Sequence, residues 1–413
     1  MGARPSDDMA VAMSPGGIVV QRFEAHEHAG AGDKAAGSGK FTIGEAPNEV
    51  VLTSGEVNAL ADLYGTLDDL KKADHAELLK LRDLVRQQQA DPKSVSEKAW
   101  DEASGGRYTR LNLANSPHFA PSRKPAGSGS AGPDNRSTWR SYYRAALAQA
   151  KECKRLSQIG EAATDTSIQN QALAEAELAK QEAQLQNAFG EHYLMDAFSA
   201  GHLFSKQDAL DAMQAKLNGL GKDALAQLFN SVATAVWASQ SATISRYQGK
   251  AYWAWWDLNS ADRFKSVLEG VYEDEDGKEA LKSAVVKAAH DKLDTDGVEV
   301  RNAFATWLLK GDKTLASSPE TQHWINEALE ASRKDLEIVA TTLVGAPDDQ
   351  LIAGIESYLP EPTAPSAKMI EDLVASVTDP QGAMAASISA VAGREIDALL
   401  SAIEAKGKIR RKP

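Results

Sequence analysis

Apolar residues recur at helical spacing along most of the chain. The first such run follows Thr53, where Thr53 and Glu56 form a capping-box pattern that predicts the start of a helix. The apolar side chains that continue this run are Leu60, Leu63, Tyr64 and Leu67. A second helix is predicted to begin at Asp74, with Glu77 three residues later. Folded structure is therefore expected to begin near Thr53.

From Thr138 onward the pattern is helical almost throughout. Two long helices are predicted, over residues 139–160 and 166–200. Further helices are predicted over residues 206–218, 221–247, 260–271, 277–293, 319–343, 347–358, 366–377 and 383–406. Residues 298–300 are the one segment that suggests a short strand, and no repeat of about 20–50 residues indicates a solenoid. The predicted fold class is all-α.

Composition divides the chain into three parts. Residues 1–50 are rich in Gly, Ala, Ser and Pro and are expected to form a flexible, mostly irregular arm. Residues 51–330 are expected to form one multi-helix domain. Within it, a Pro/Gly/Ser-rich loop over residues 120–137 is expected to be mobile. Residues 331–413 are predicted to form a helical C-terminal extension packed on that domain.

Charge and cysteine content exclude several classes of protein. The 413 residues carry a formal net charge of −13, so stable nucleic acid binding is not expected. No apolar run is long enough for a transmembrane segment, and the N-terminus lacks the apolar stretch of a secretory signal. The protein is therefore expected to be cytoplasmic as synthesised, with delivery by a non-classical route left open. Because Cys153 is the single cysteine, a metal ion would have to be held by His, Asp and Glu.

Two segments outside the predicted helical core allow two interpretations each. The aromatic run at residues 252–256 is either a packing segment between helices or an interfacial anchor for lipid headgroups. The C-terminal basic tail is either a solvated helix end or a contact for an anionic surface. We favour the packing segment and the solvated helix end. The residues of the basic tail are Lys406, Lys408, Arg410, Arg411 and Lys412.

The histidines stand out because of what surrounds them. His192, Asp196 and His202 form the pattern H-x3-D-x5-H. Since residues i and i+4 share one face of a helix, His192 and Asp196 can bind one ion or two adjacent ions. Gly201 offers an end to the helix that lets His202 turn back towards them. We predict a metal site here, against the alternative of ordinary hydrogen-bonded histidines.

The motif around His192 resembles a known family. His192 begins the pattern H-Y-x-x-D-x5-H, which is similar to the signature of bacterial zinc-dependent phospholipases C, an all-α family related to P1/S1-type nucleases. A loop "HF" histidine precedes the signature in that family, and His118-Phe119 resembles it. An H-x3-E pair follows the signature, and His290 with Asp294 resembles that pair with Asp in place of Glu.

The resemblance implies a cluster of two or three zinc ions. An "A-D-x-Y" aspartate also ligates metal in the family, and residues 61–64 match it, which assigns Asp62 as a ligand or as a general base. The implied ligand set is Asp62, His118, His192, Asp196, His202, His290 and Asp294. Family members also use an N-terminal Trp that this chain lacks at its start. His26 and His28 are candidates for that role, with an ordinary exposed loop as the alternative.

The predicted function is zinc-dependent hydrolysis of a phosphoric diester, as in phospholipase C. The resemblance implies a phospholipid headgroup or another phosphodiester as the substrate, and bound zinc would supply a nucleophile and shield the phosphoryl oxygens. Other phosphate-binding signals are weak. No G-x4-G-K-[ST] loop occurs, and the G-x-G-x-x-G match at residues 127–132 lies in the predicted loop rather than after a strand.

Two alternatives remain beside the hydrolase. The first is a non-catalytic structural or interaction protein that keeps the helical scaffold. A likeness over residues 23–33 and 55–65 to uncharacterised bacterial proteins encoded with phage-tail-like contractile injection systems implies assembly with, or delivery by, such a system. The second is a single-strand nuclease of the P1/S1 kind.

Overall fold

A computed structural model describes most of the chain. The described residues are 25–36, 39–108, 111, 115–124, 132–251, 254–273, 275–311, 314–342, 346–380, 383–394, 396–405 and 407–412. Helices dominate them, and the strands are only two to five residues long. The all-α fold with a helical C-terminal extension is therefore confirmed. In these ranges no helix combines the length and the apolar character that a bilayer crossing requires.

The helices are labelled in chain order. Those of the first half are α1 (Ala25–Ala36), α2 (Ser54–Leu60), α3 (Leu67–Lys71), α4 (His75–Ala90), α5 (Glu97–Ala103), α6 (Asn135–Ala162), α7 (Thr166–Asp196) and α8 (Lys206–Asn218). Those of the second half are α9 (Lys222–Ile244), α10 (Ala261–Tyr272), α11 (Glu275–Asp296), α12 (Pro319–Thr341), α13 (Asp348–Glu356), α14 (Ala364–Val377), α15 (Met384–Arg394) and α16 (Ile396–Ala405). Short 3₁₀ turns lie at Ser116–His118, Ala200–His202 and Leu315–Ser317.

Three small antiparallel sheets accompany the helices. Their strands are β1 (Lys40–Ile43), β2 (Val50–Thr53), β3 (Tyr247–Ala251), β4 (Ala254–Asp257), β5 (Val298–Arg301), β6 (Thr306–Leu309), β7 (Glu361–Pro362) and β8 (Ile409–Arg411). The strand orders are β1-β2, β4-β3-β8 and β6-β5-β7. The strand expected at residues 298–300 is confirmed as β5. The others escape a pattern search because so few residues cannot display a clear two-residue alternation.

The local signals at helix starts behave as the sequence predicts. Thr53 caps α2, and the Thr53 hydroxyl and the Glu56 carboxylate each accept from the other's backbone N–H. The Asp74 side chain accepts from the backbone N–H of Glu77 at the start of α4. Each of these caps satisfies backbone donors that a helix N-terminus otherwise leaves without a partner.

The core forms around the long antiparallel pair α6 and α7. Trp139 and Tyr143 of α6 and Phe189 of α7 are fully buried, and most buried apolar residues of the described chain join one continuous cluster. Helix α12 packs against α6, α7 and α1, and it runs through residue 330 without a break. The C-terminal extension therefore shares a helix with the domain that precedes it.

The N-terminal region differs from the irregular arm expected over residues 1–50. Helix α1 packs on α2 with Ala25 and Ala29 buried, and β1 and β2 pair over residues 40–53. Small residues make this contact possible, because a Cβ on Gly55 would overlap the carbonyl oxygen of Ala29. The composition that suggested an arm instead permits two backbones to approach closely. Residues 1–24 and 37–38 lie outside the described residues.

The loop predicted over residues 120–137 ends about three residues earlier in the structure than in the prediction. Helix α6 begins at Asn135, where the Asp134 side chain accepts from the backbone N–H of Ser137. Residues 125–131, which carry most of the Gly/Ser-rich sequence and most of the G-x-G-x-x-G match, lie outside the described residues.

The C-terminal end also differs from the prediction. The helix expected over residues 383–406 is described as α15 and α16, and the basic tail continues as strand β8 rather than as a solvated helix end. Within the aromatic run, residues 254–257 form β4, while residues 252 and 253 lie outside the described residues. Aromatic side chains favour β-strands, and the packing segment expected between helices is a strand whose Trp256 packs against the core.

We expect Gly55→Ala to destabilise the protein by about 1–3 kcal/mol, because the added methyl group forces α1 and α2 apart. Gly30→Ala is the matched control, since a Cβ on Gly30 of α1 meets nothing within 4 Å. It should stabilise the protein by up to about 1 kcal/mol through helix propensity. Thermal unfolding midpoints measure both changes. A Gly55→Ala protein as stable as the parent would disprove the close helix contact.

Candidate metal centre

Four separate parts of the chain bring the predicted ligands together. Helix α7 carries His192 and Asp196 one turn apart at its buried C-terminal end. His118 lies in the 3₁₀ turn before α6, and Asp62 follows α2. His202 lies in the next 3₁₀ turn, where its Nδ1 is 3.3 Å from the backbone oxygen of Asp196. The chain does turn back after α7, as the glycine before His202 suggested.

Ring nitrogens of His118 and His192 each lie within 3.4 Å of both the Asp62 and the Asp196 carboxylates. The Nδ1 atom of His118 lies 3.4 Å from Asp62 Oδ1 and 2.9 Å from Asp196 Oδ2. The Nε2 atom of His192 lies 3.3 Å from each of the same two oxygens. The two ring nitrogens are 3.0 Å apart. A metal ion with bonds of about 2.0–2.1 Å holds tetrahedral donors about 3.3 Å apart, and the donor atoms of Asp62, His118 and His192 form a group that can hold a metal ion.

The second carboxylate oxygen of Asp196 faces two further histidines. Asp196 Oδ1 lies 3.6 Å from His28 Nε2 and 3.5 Å from His202 Nδ1. The His28 and His192 rings are 4.4 Å apart. His28, His192 and Asp196 thus form a second group of donors that can hold a metal ion. The two oxygens of Asp196 thus face different histidines, and Asp196 would be able to contribute to more than one bound ion.

The orientation of the His28 ring supports this second group. Its Nδ1 lies 3.1 Å from Asn58 Oδ1, and the Asn58 amide nitrogen points to Met195 Sδ at 3.4 Å. The Asn58 oxygen is therefore the acceptor, and His28 Nδ1 carries the proton. With one proton only, on Nδ1, the His28 ring directs its Nε2 lone pair at the negatively charged Asp196 carboxylate, and the two repel each other. Either a second proton on the ring or a metal ion between the two atoms removes this repulsion.

The histidines also set the charge of Asp62. Burial alone raises the pKa of Asp62, but His192, and after it His118 and His28, hold that pKa well below its ordinary range. The carboxylate is therefore ionised at neutral pH, as a metal ligand must be.

The second predicted pair, His290 and Asp294, lies beside these donors but does not form a third donor group with His202. The His202 and His290 rings are 5.0 Å apart, and both pack against Phe119. His290 Nδ1 is 3.3 Å from Asp294 Oδ2. In the described chain, however, the donor atoms of His202, His290 and Asp294 do not form a group as close as the two above.

Asp294 is tied to the backbone instead. Its Oδ1 accepts from the backbone N–H of Gly201 at 2.5 Å and from the Ser199 hydroxyl at 3.2 Å. A Cβ at Gly201 would lie 2.5 Å from the His290 ring, and one at Gly311 would overlap Asp294 itself. Glycine is therefore needed at both positions for steric reasons. Asp294 holds the turn that carries His202, whatever else it binds.

Sequence reasoning missed two residues of the site and left a third undecided. Asp291 lies 3.3 Å from His290 Nδ1, and Asn58 orients His28. Burial opposes ionisation of Asp291, but His290 and Lys287 hold its pKa well below the ordinary range. His28 was one of two candidates, and among the described donors it is His28, not His26, that joins a group. Only the packing of α1 on α2 could reveal this.

A buried ion pair holds three helices at the site. Arg333 of α12 makes a bidentate pair with Glu191 of α7, which is fully buried and directly precedes His192. The same guanidinium donates to the backbone oxygen of Gly32 in α1 at 2.9 Å. Asn187 and Ser332 donate to Glu191 Oε1 as well. The network fixes α1, and with it His28, against α7.

The remaining histidines lie apart from this cluster. His75 bonds the backbone oxygen of Asn48 in an exposed position, and His323 is more than half exposed beside Glu327. Neither belongs to a donor group in the described part of the chain.

Comparisons of the chain with protein-family models, with curated proteins and with solved structures give no match. Function has to be inferred from the geometry of the site.

We expect His118→Gln to lose at least one bound metal ion per chain, because it removes one nitrogen donor from the group of Asp62, His118 and His192. His75→Gln is the control, since His75 lies outside the cluster, and it should keep the metal content of the parent. Elemental analysis of protein purified without chelator measures both. Metal content should also fall as the pH drops below about 6.5, where histidine takes up protons in competition with the metal. Equal metal content in both variants would argue against the site.

We expect Arg333→Met to cost about 3–5 kcal/mol of stability, because Glu191 would remain buried without its cation. Arg144→Met removes an exposed pair with Asp349 and should cost less than about 1 kcal/mol. Chemical denaturation of the two variants compares them. Similar losses would show that the buried pair does not support the site.

Proposed function

We propose that the protein is a zinc-dependent phosphoric-diester hydrolase resembling phospholipase C. The observation that carries the proposal is the position of Asp196, whose two oxygens face two adjacent groups of histidine donors. Two zinc ions held about 3.5–4 Å apart act as a pair on one phosphoryl group in hydrolases of this chemistry. The proposed substrate is a phospholipid headgroup or another phosphodiester.

The donor chemistry supports zinc over other ions. A mixture of imidazole nitrogen and carboxylate donors without cysteine suits an open zinc site better than a magnesium or calcium site, because those two ions prefer oxygen donors. Asp62, His118, His192 and Asp196 would hold the first ion. His28 and Asp196 would contribute to the second, and His202 lies close enough to Asp196 to join it.

Bound zinc and the residues around it would have different chemical roles. Zinc, when bound, supplies a Lewis acid for the phosphoryl oxygens and makes water acidic enough to act as a nucleophile near neutral pH. Asp62 is the most exposed of the four donors in the first set, with 19% of its side chain accessible. Asp62 lies where a general base would stand, at the edge of the site, but a carboxylate whose pKa is held well below its ordinary range accepts a proton only weakly, so Asp62 is better suited to the role of a ligand.

One observation favours the non-catalytic alternative. The cavity that the described residues enclose next to Asp196 and His28 has a volume of about 30 Å³, which is space for about one water molecule. Its lining includes Ser199, Lys310 and Thr314. A substrate would therefore need this opening to widen. A scaffold that only retains metal, including one that assembles with an injection system, would not.

We expect the Asp196→Asn protein to remain helical, to lose most of its bound zinc and to lose at least about 100-fold in hydrolysis. The amide keeps the shape of the side chain but not the charge that balances two ions, and an amide coordinates zinc poorly. The assays are elemental analysis, circular dichroism and turnover of a p-nitrophenyl phosphocholine ester and of bis(p-nitrophenyl) phosphate.

Asp83→Asn is the control, because Asp83 is an exposed aspartate of α4 that pairs only with its neighbour Arg82 among the described residues. It should retain the zinc and turnover of the parent. A parent protein that is free of metal and inactive would overturn the hydrolase proposal. A parent that binds zinc but hydrolyses neither ester would favour the scaffold.

A further inference from the structure

Two motifs that the proposed function does not use come together in one sheet. The aromatic run supplies β4, and the basic tail supplies β8, and both pair antiparallel with β3 between them. Lys250 of β3 pairs with Trp255 of β4, and Gln248 of β3 pairs with Arg410 of β8. Segments more than 150 residues apart in sequence therefore build a single surface.

The two faces of this sheet differ in character. On the inner face, Tyr247 and Ile409 are buried, and Gly249 lies against the Trp256 ring and Val267. Because side chains alternate along a strand, the neighbouring residues point outward. The outward residues of the described strands are Gln248, Lys250, Trp255, Asp257 and Arg410.

The outward face presents an aromatic ring between two cations. The Arg410 guanidinium lies 4.4 Å from the centre of the Trp255 ring, and the Lys250 ammonium lies 5.9 Å from it. Arg410 also donates to the side-chain oxygen of Gln248 at 2.9 Å. In the described chain, neither cation has a carboxylate within salt-bridge distance, whereas Asp257 on the same face is bonded to Lys412 at 3.4 Å. The face therefore carries excess positive charge.

We propose that this face docks on an anionic phospholipid bilayer. The face carries excess positive charge in a chain whose net charge is −13, so it is complementary to an acidic surface, whereas the molecule as a whole is not. A tryptophan flanked by Lys and Arg suits the membrane–water interface. The amphipathic ring can lie among the headgroups while the two cations contact the lipid phosphates. Duplex nucleic acid fits less well, because it would be repelled by the rest of the chain.

The test is sedimentation of the full chain with vesicles. Parent protein should bind vesicles of 70% phosphatidylcholine and 30% phosphatidylglycerol, bind pure phosphatidylcholine vesicles far less, and be released at high salt. Each cation near such a surface contributes about fivefold to partitioning, so Lys250→Gln/Arg410→Gln should bind about 25-fold more weakly. Trp255→Ala should also bind the acidic vesicles more weakly than the parent. This difference in binding should remain at low salt, because the contribution of the ring is not electrostatic.

Lys292→Gln/Lys368→Gln is the matched control, because it removes the same charge from exposed lysines of α11 and α14. It should bind vesicles like the parent. An equal loss in this control, no binding of parent to the acidic vesicles, or binding to a duplex oligonucleotide in preference to them would each overturn the proposal.

Docking and hydrolysis are separable. The Lys250→Gln/Arg410→Gln protein should bind zinc and hydrolyse a water-soluble diester like the parent, since neither residue belongs to the metal centre. The Asp196→Asn protein should in turn bind acidic vesicles like the parent. Failure of the hydrolase proposal therefore leaves this one standing, and a vesicle-binding defect in Asp196→Asn would contradict it.

Discussion

The Asp196 carboxylate lies between 2.9 and 3.6 Å from ring nitrogens of His28, His118, His192 and His202, and the surrounding fold is arranged around this contact. A buried carboxylate costs free energy unless cations or donors balance it, so the histidines have to be held in place. They come from α1, α7 and two 3₁₀ turns. The packing of those elements, rather than the motif alone, makes the cluster.

The supporting contacts explain why an unpromising N-terminal segment folds. Helix α1 is rich in Gly and Ala and has little apolar surface, but Gly32 and Gly55 allow its backbone to approach α2 closely. The Arg333 guanidinium of α12 then donates a hydrogen bond to the Gly32 carbonyl. Residues 25–33 and 55–60 contact each other here, and the Gly55 backbone N–H donates to the Asp33 carboxylate.

The two halves of the cluster are built differently. The set around Asp62 and His192 brings carboxylate oxygens and ring nitrogens to within 3.0–3.3 Å of one another. Around Asp294, by contrast, the carboxylate accepts from Gly201 and Ser199 and so closes the turn after α7. The same pattern of i and i+4 residues thus belongs to a donor group that can hold a metal ion in one place and supports the backbone in the other. Local spacing does not distinguish the two cases, because it does not determine which groups the carboxylate oxygens of Asp196 and Asp294 face.

The sequence by itself determined the all-α class, the capped starts of α2 and α4, and the candidate ligands, because helical periodicity, capping and i, i+4 spacing are local properties. Only the tertiary structure decided that His28 rather than His26 reaches Asp196, and that Asn58 and Arg333 support it. It also decided that β8 pairs with β3 and unites the basic tail with the aromatic run. These outcomes depend on which distant segments meet, and pairing across more than a hundred residues leaves no periodic signal in a single sequence.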